Sequence, residues 1–265
     1  MKLFFRKYGN GPPLIILHGL FGSSDNWSTL ARSIAGKFTV ILPDQRNHGF
    51  SPHSEIHDYD SLSNDLNELA TELNLDRFFL AGHSMGGKAA IAFAYKWPEK
   101  LNGLLVADIS PVNTPVFNNN MAEQHLKLLD AILSSDLKEI NSRQQADLAL
   151  SEKVPDEKIR GLILKNLRTN PDNSYSWKIN AAALKKNIEN IMDEVMPPDP
   201  AGLRLTGFPV YFLKGEKSDY LPEKDFRLIQ KIFPAAEFIV IPGAGHWLNA
   251  ENPEAVRNCL LRFLD

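Results

Sequence analysis

The sequence predicts an α/β protein: a mostly parallel, doubly wound sheet with a helical cap inserted late in the chain. Three observations carry that expectation. Short continuous apolar runs, such as Leu14-Ile15-Ile16-Leu17 and Gly103-Leu104-Leu105-Val106-Ala107, alternate with helical patterns, the rhythm of right-handed crossovers onto a sheet covered on both faces. The run Phe79-Leu80-Ala81 meets Gly82-His83-Ser84-Met85-Gly86 and then a small-residue helix, which is a G-x-S-x-G pattern in strand–turn–helix context. From 112 to 207 the strand rhythm stops, and Phe208-Pro209-Val210-Tyr211-Phe212-Leu213 and Glu237-Phe238-Ile239-Val240-Ile241 resume it. The expected division is therefore a core of residues 1–111 and 208–265 and a helical cap of residues 112–207.

Taken in order, residues 3–6 read as a strand and Tyr8-Gly9-Asn10-Gly11-Pro12-Pro13 as a turn, so a hairpin is expected to open the sheet. The strand at 14–17 ends in the glycine-punctuated loop His18-Gly19-Leu20-Phe21-Gly22, where His18 is expected to order the loop by hydrogen bonding. Trp27, Leu30 and Ile34 share a helical face, and 38–42 is a third strand. It exits into Asp44-Gln45-Arg46-Asn47-His48-Gly49. Asp44 and Arg46 are close enough to pair with each other or to hold the surrounding loops. His53 and His57 have a metal-ligand spacing, but Pro52 and the lack of a clear helix argue against a shared face. Asp60 or Ser61 caps a helix striped with Leu62, Leu66, Leu69 and Leu73.

The turn at Ser84 and the strand at 103–107 follow, ending in Asp108-Ile109-Ser110-Pro111. His18, Asp44, Ser84 and Asp108 all fall just past strand ends, where ligands bind in sheets of this kind. In the cap, Leu126, Leu129 and Leu133, then Ile159, Leu162, Ile163 and Leu167, then the stretch from Trp177 to Met192 read as helices, bordered by Asn118-Asn119-Asn120 and Pro197-Pro198-Asp199-Pro200. The last strand leads into Gly243-Ala244-Gly245-His246-Trp247, whose glycines let the loop carry His246 back toward Ser84, and a helix over 253–263 closes the chain.

Composition excludes several functions. With 29 Lys+Arg against 32 Asp+Glu and a net charge of −3, there is no basic footprint for nucleic acid or a membrane surface. The single cysteine, Cys259, forms no internal disulfide and reads as a buried small apolar residue, consistent with a reducing compartment. The apolar part of the first seven residues is too short for a signal peptide and no run approaches transmembrane length, so the expectation is a cytoplasmic protein with no membrane span.

A serine hydroxyl becomes a nucleophile when a base takes its proton, and an imidazole acting as that base needs a carboxylate to fix its tautomer. Ser84 and His246 supply two members in the order Ser, acid, His. Two acids follow Ser84 just beyond strands: Asp108, and Asp219 in Gly215-Glu216-Lys217-Ser218-Asp219. The backbone N–H groups of Leu20 and of Met85, the residue after the serine, are the expected oxyanion donors. Lys88, one helical turn beyond Ser84, reads as a surface or loop-tethering lysine.

On His18-Gly19-Leu20-Phe21-Gly22, Arg46-Asn47-His48-Gly49, Gly82-His83-Ser84-Met85-Gly86-Gly87-Lys88, Asp108-Ile109-Ser110-Pro111 and Gly243-Ala244-Gly245-His246-Trp247, the chain resembles the α/β-hydrolase superfamily over essentially its whole length. It looks most like the YbfF-type bacterial esterases and their ABHD-type relatives. In most of the superfamily the acid is the Asp of a G-x-x-D motif after the penultimate strand; here that place is Ser218, with Asp219 one residue late. The YbfF-type resemblance implies Asp108 instead. It also implies hydrolysis of a small-molecule carboxylic ester or acyl thioester, acyl-CoA included, through an acyl-enzyme, with no cofactor or metal. Two alternatives share the fold: a carbon–carbon bond hydrolase or lyase beneath a similar cap, and a receptor that binds without turnover. A haloalkane dehalogenase is disfavoured because it needs a carboxylate in place of Ser84.

Overall fold

The computed structural model describes residues 1–112, 115–197 and 202–264. The chain opens with β1 (Phe5–Tyr8) and β2 (Pro13–Leu17), followed by a 3-10 turn, α1 (Ser28–Ile34) and β3 (Thr39–Pro43). Next come α2 (Tyr59–Glu72), β4 (Phe78–His83), α3 (Met85–Lys96) and β5 (Leu101–Ala107). Between β5 and the return to the sheet lie α4 (Pro115–Leu133), α5 (Arg143–Ser151), α6 (Glu157–Leu164), β6 (Leu167–Thr169), β7 (Tyr175–Trp177), α7 (Ala181–Lys186) and α8 (Ile188–Met192). The closing elements are β8 (Val210–Gly215), α9 (Phe226–Ile232), β9 (Ala236–Ile241), α10 (Leu248–Glu251) and α11 (Pro253–Leu261).

The main sheet has the strand order β1-β3-β2-β4-β5-β8-β9. All its pairs are parallel except the edge pair β1–β3. The pleat sends alternate side chains to opposite faces. Ile15, Leu17, Ile41, Leu80, Leu104, Val106 and Phe212 meet α2 and α3 on one face. Leu14, Ile16, Val40, Leu42, Ala81, Leu105 and Leu213 meet α1 and α11 on the other. Because both faces are covered, the central strands read as unbroken apolar runs, and each large side chain so buried contributes about 1.5–3 kcal/mol.

The expected opening hairpin does not form. β1 pairs antiparallel with β3, because β2 takes parallel partners on both edges, β3 and β4. The 9–12 segment carries the chain across that gap against the end of α1. Gly9, at φ 76°, approaches so closely that a Cβ there would lie 2.1 Å from the Ala35 carbonyl oxygen. The α2 cap is also displaced from its expected place: Asp58, not Asp60 or Ser61, accepts the Ser61 amide.

Among its described residues, the stretch between β5 and β8 adds no strand to the main sheet; its β6 and β7 form a separate antiparallel pair. Trp177, expected in a helix, lies in that pair, Leu167 lies in β6, and α5 had no counterpart in the sequence reading. Asn118-Asn119-Asn120, expected as a border, falls inside α4, which begins at Pro115, a residue favoured in the first helical turn. Of the second expected border, 198–200 lies outside the described residues. Hydrogen bonds hold this stretch to the core: Tyr59 Oη donates to the Ile191 carbonyl at 2.6 Å, Asn166 Nδ2 to the Phe21 carbonyl at 2.8 Å, and the Asn180 amide to the Asn47 carbonyl at 2.9 Å. Lys88 is a tether and not a surface residue: it is buried, and its Nζ donates to the carbonyls of Asp193 at 2.6 Å and Met192 at 3.3 Å. No helix among the described residues is long and apolar enough to cross a membrane.

Candidate active site

Ser84 stands at the junction of β4 and α3 with φ 54°, a region that non-glycine residues occupy at a cost of about 1–3 kcal/mol. Its neighbours make the turn possible. A Cβ on Gly82 would lie 2.2 Å from the Gly86 carbonyl oxygen, and one on Gly86 would lie 2.5 Å from the His18 carbonyl oxygen. The Ser84 amide donates to the Ala107 carbonyl at 3.0 Å, tying the turn to the neighbouring strand.

His246, on the loop after β9, brings its Nε2 to 3.1 Å from Ser84 Oγ and its Nδ1 to 2.8 Å from Asp108 Oδ2. Asp108 is fully buried just past the end of β5. Its Oδ1 accepts the Gly215 amide at 2.8 Å, and its Oδ2 also accepts a hydrogen bond from Ser218 Oγ. A carboxylate held in this way selects the tautomer in which Nδ1 carries the proton, leaving the Nε2 lone pair for the Ser84 hydroxyl. Asp219, the other expected acid, is exposed, and the imidazole nitrogen it would have to reach is taken by Asp108.

Neighbouring side chains hold the imidazole. Tyr220 stacks on it with centroids 3.6 Å apart and planes 16° from parallel. His83 Nε2 lies 2.7 Å from the His246 carbonyl, to which it donates. Burial, helped by the nearby His246 ring, pushes His83 down to about 3, so it is neutral at physiological pH and its proton serves that carbonyl. Ser218 and His83 sit in motifs whose pattern points to Asp219 and Ser84 instead. Tyr220 left no sequence signal, since only the folded loop brings it to the ring.

The loop His18-Gly19-Leu20-Phe21 faces Ser84 from β2. His18 Nδ1 donates to the Gly19 carbonyl at 2.9 Å, and its Nε2 accepts the Gln45 amide at 3.0 Å. It therefore orders the loop, and burial lowers its pKa so that the neutral ring makes both bonds. Among the described residues, neither the Leu20 nor the Met85 amide forms a hydrogen bond. Leu20, Phe21, Ser84, Tyr220, His246 and Trp247 border a cavity of about 360 Å³, and most of its remaining wall comes from α4, α6 and the 153–156 connection.

The other candidate polar residues are spent on structure. Asp44 accepts the Ser24 amide at 2.6 Å and the Phe50 amide at 2.8 Å. Arg46 pairs with Asp65 through two bonds of 2.6 and 2.9 Å, a partner on α2 that spacing does not reveal. His53 is exposed while His57 is fully buried, its Nε2 3.4 Å from Met85 Sδ, so the two do not share a site. Burial, together with the Arg46 charge, pushes His57 down to about 4.

Comparison with known proteins agrees with this architecture. Residues 12–253 match the family described as alpha/beta hydrolase fold. The sn-1-specific diacylglycerol lipase ABHD11 of Danio rerio is 34% identical over 263 residues, covering 98% of this chain and 80% of the relative. Esterase YbfF of Escherichia coli K12 is 32% identical over 259 residues, covering 97% of this chain and 94% of the relative. A solved marine microorganism esterase superposes with a TM-score of 0.93 at 43% identity, covering 99% of both chains. With a turn, sheet order and full-length similarity that all agree, this chain belongs to the α/β-hydrolase family.

Proposed function

We propose that this enzyme hydrolyses carboxylic esters of small molecules through a Ser84–His246–Asp108 triad. The observation that carries the reading is one imidazole within 3.1 Å of Ser84 Oγ and 2.8 Å of a buried carboxylate, at the edge of an apolar-walled cavity. Ester-hydrolysing relatives of nearly the same length give independent support.

In the first step Ser84 Oγ bonds to the acyl carbon while His246 Nε2 takes its proton, and the carbonyl electron pair moves onto oxygen. The Leu20 and Met85 amides hold that oxyanion; one such donor is worth about 3–4 kcal/mol of barrier. Asp108 steadies the imidazolium without taking its proton. Collapse breaks the bond to the alcohol, which leaves with the proton from Nε2. Water then attacks the acyl-enzyme with His246 again as base, releasing the acid and restoring Ser84. An acyl thioester follows the same steps with a thiol as leaving group.

Residues 112–207 act as a cap over this site. Met121, Leu128, Val154, Ile159 and Leu162 come from it and give the cavity the apolar wall an acyl chain requires. The test is hydrolysis of p-nitrophenyl butyrate and butyryl-CoA by the protein and its folded Ser84→Ala variant. Rates lower by about 10⁴-fold or more in the variant are expected. Equal rates in the two proteins contradict the reading.

A further inference from the structure

Four buried side-chain atoms have no hydrogen-bond partner among the described residues: Gln45 Oε1, His48 Nε2, His125 Nδ1 and Trp177 Nε1. Of the residues that carry them, only His125 lines the cavity that holds Ser84 and His246. His125 lies on α4 and meets Phe21 edge-on with centroids 5.7 Å apart. Phe21 follows Leu20, so His125 stands across from the loop to which an oxyanion amide has been assigned. Its ring is thus held in place by an aromatic neighbour while its Nδ1 is withdrawn from water and left unmatched.

An unmatched buried polar atom in a native protein calls for an explanation, and in a substrate cavity the simplest is a partner that arrives with the substrate. The charged side chains of this wall are occupied, since Lys153 donates to Ser134 Oγ, Lys127 pairs with Glu123 and Asp156 caps α6, and Gln124 is exposed to solvent. Burial and the nearby His246 push His125 down to about 4, so its imidazole is uncharged at neutral pH and suits a neutral group, not an anion. A hydroxyl suits either tautomer, since it can accept from a protonated Nδ1 or donate to a bare one.

We propose that His125 determines specificity by hydrogen-bonding, through Nδ1, a hydroxyl group carried by the substrate near the scissile ester. The enzyme would then favour hydroxylated esters over alkyl esters of the same shape. This rests on the ester-hydrolase reading above. A site with a hydrogen-bonding group waiting for a substrate hydroxyl rejects the analogue that lacks it, because the site's own polar atom then stays unpaired.

The experiment compares kcat/KM within two near-isosteric pairs, 2-hydroxyethyl butyrate against propyl butyrate and ethyl 3-hydroxybutyrate against ethyl 3-methylbutyrate. One places the hydroxyl on the alcohol side, the other on the acyl side. Both pairs are run beside p-nitrophenyl butyrate with Ser84→Ala as control. The expected result is a preference of about tenfold or more for the hydroxylated member of at least one pair. It should fall to near unity in His125→Phe and return in part in His125→Gln, whose amide can still form the bond. His125→Leu is a second apolar variant should His125→Phe not fold. Ser84-dependent p-nitrophenyl butyrate hydrolysis with no preference in either pair overturns the inference and leaves the hydrolase reading standing. A preference that persists in a folded apolar variant overturns it as well. Absence of Ser84-dependent hydrolysis overturns both.

Discussion

His246 Nδ1 lies 2.8 Å from Asp108 Oδ2, although Asp108 follows β5 and not β8, the strand before the histidine strand. The loop after β8 still takes part. Its Ser218 hydroxyl donates to the same carboxylate oxygen, and the amide of Gly215, the last residue of β8, donates to the other. The carboxylate thus comes from one strand end and is oriented by the next.

Asp108→Asn and Asp219→Asn should therefore behave differently. An amide in place of Asp108 stabilises the wrong imidazole tautomer, and kcat is expected to fall by about 10⁴-fold with the fold retained. Asp219→Asn, at an exposed position, should leave kcat within about twofold of the parent. Steady-state kinetics on p-nitrophenyl butyrate, with circular dichroism to check folding, reads both; a large loss in Asp219→Asn alone would reverse the assignment.

Much of this was legible because its signals are local. The Gly82-His83-Ser84-Met85-Gly86 turn is specified by residues adjacent in sequence, and its glycines are required by contacts of 2.2 and 2.5 Å. Apolar runs located the main-sheet strands to within a residue or two, because strands covered on both faces carry no polar alternation. What failed was long-range. Sequence adjacency pairs β1 with the strand that follows it, while its hydrogen bonds go to β3. The Arg46 partner is on α2, and the rings around His246 come from loops whose course no periodicity encodes. Between β5 and β8, helices were legible where apolar residues recur at helical spacing, as in α4 and α6; α5, one residue longer than α6, escaped because its apolar residues are few.

Lys88 is expected to fasten the end of α8 to the serine helix. Its Nζ serves two carbonyls from a buried position, where desolvation lowers its pKa to about 8. Lys88→Met keeps most of the stem but removes both donated bonds, and should destabilise the protein by about 1–3 kcal/mol in urea titrations. Amide hydrogen exchange should quicken over 188–195 in the variant; unchanged protection there would show that the tether carries no strain from that segment.

The buried histidines predict an acid limit to stability. His57 and His83 are held neutral, near 4 and 3, mainly by burial, whereas an unfolded-chain histidine titrates near 6.5. Below 6.5 the unfolded chain binds protons that the native state refuses, so stability falls as pH drops from 6.5 toward 4. Each such histidine contributes a slope of about 1.4 kcal/mol per pH unit. Urea midpoints at pH 7, 6 and 5 should decline in that order, and His57→Gln should flatten the decline. An identical slope in that variant would contradict the assignment for His57.

His83 should act on catalysis through the backbone of His246. His83→Phe removes the donor to the His246 carbonyl while keeping a ring in the buried site. Small misplacements of a reacting group are costly, so kcat should fall by about 10- to 100-fold, while the urea midpoint changes little. If kcat and stability fell in proportion, the residue would be structural only.

The central claim is that Ser84 is the nucleophile and His246 its base. The most direct measurement is covalent labelling with a fluorophosphonate, followed by mass spectrometry of the intact protein and its peptides. One phosphonyl group on the peptide bearing Ser84 is expected, absent in Ser84→Ala and formed at least about 10³-fold more slowly in His246→Ala. Labelling at another residue, or ester hydrolysis that survives full modification of Ser84, would contradict it.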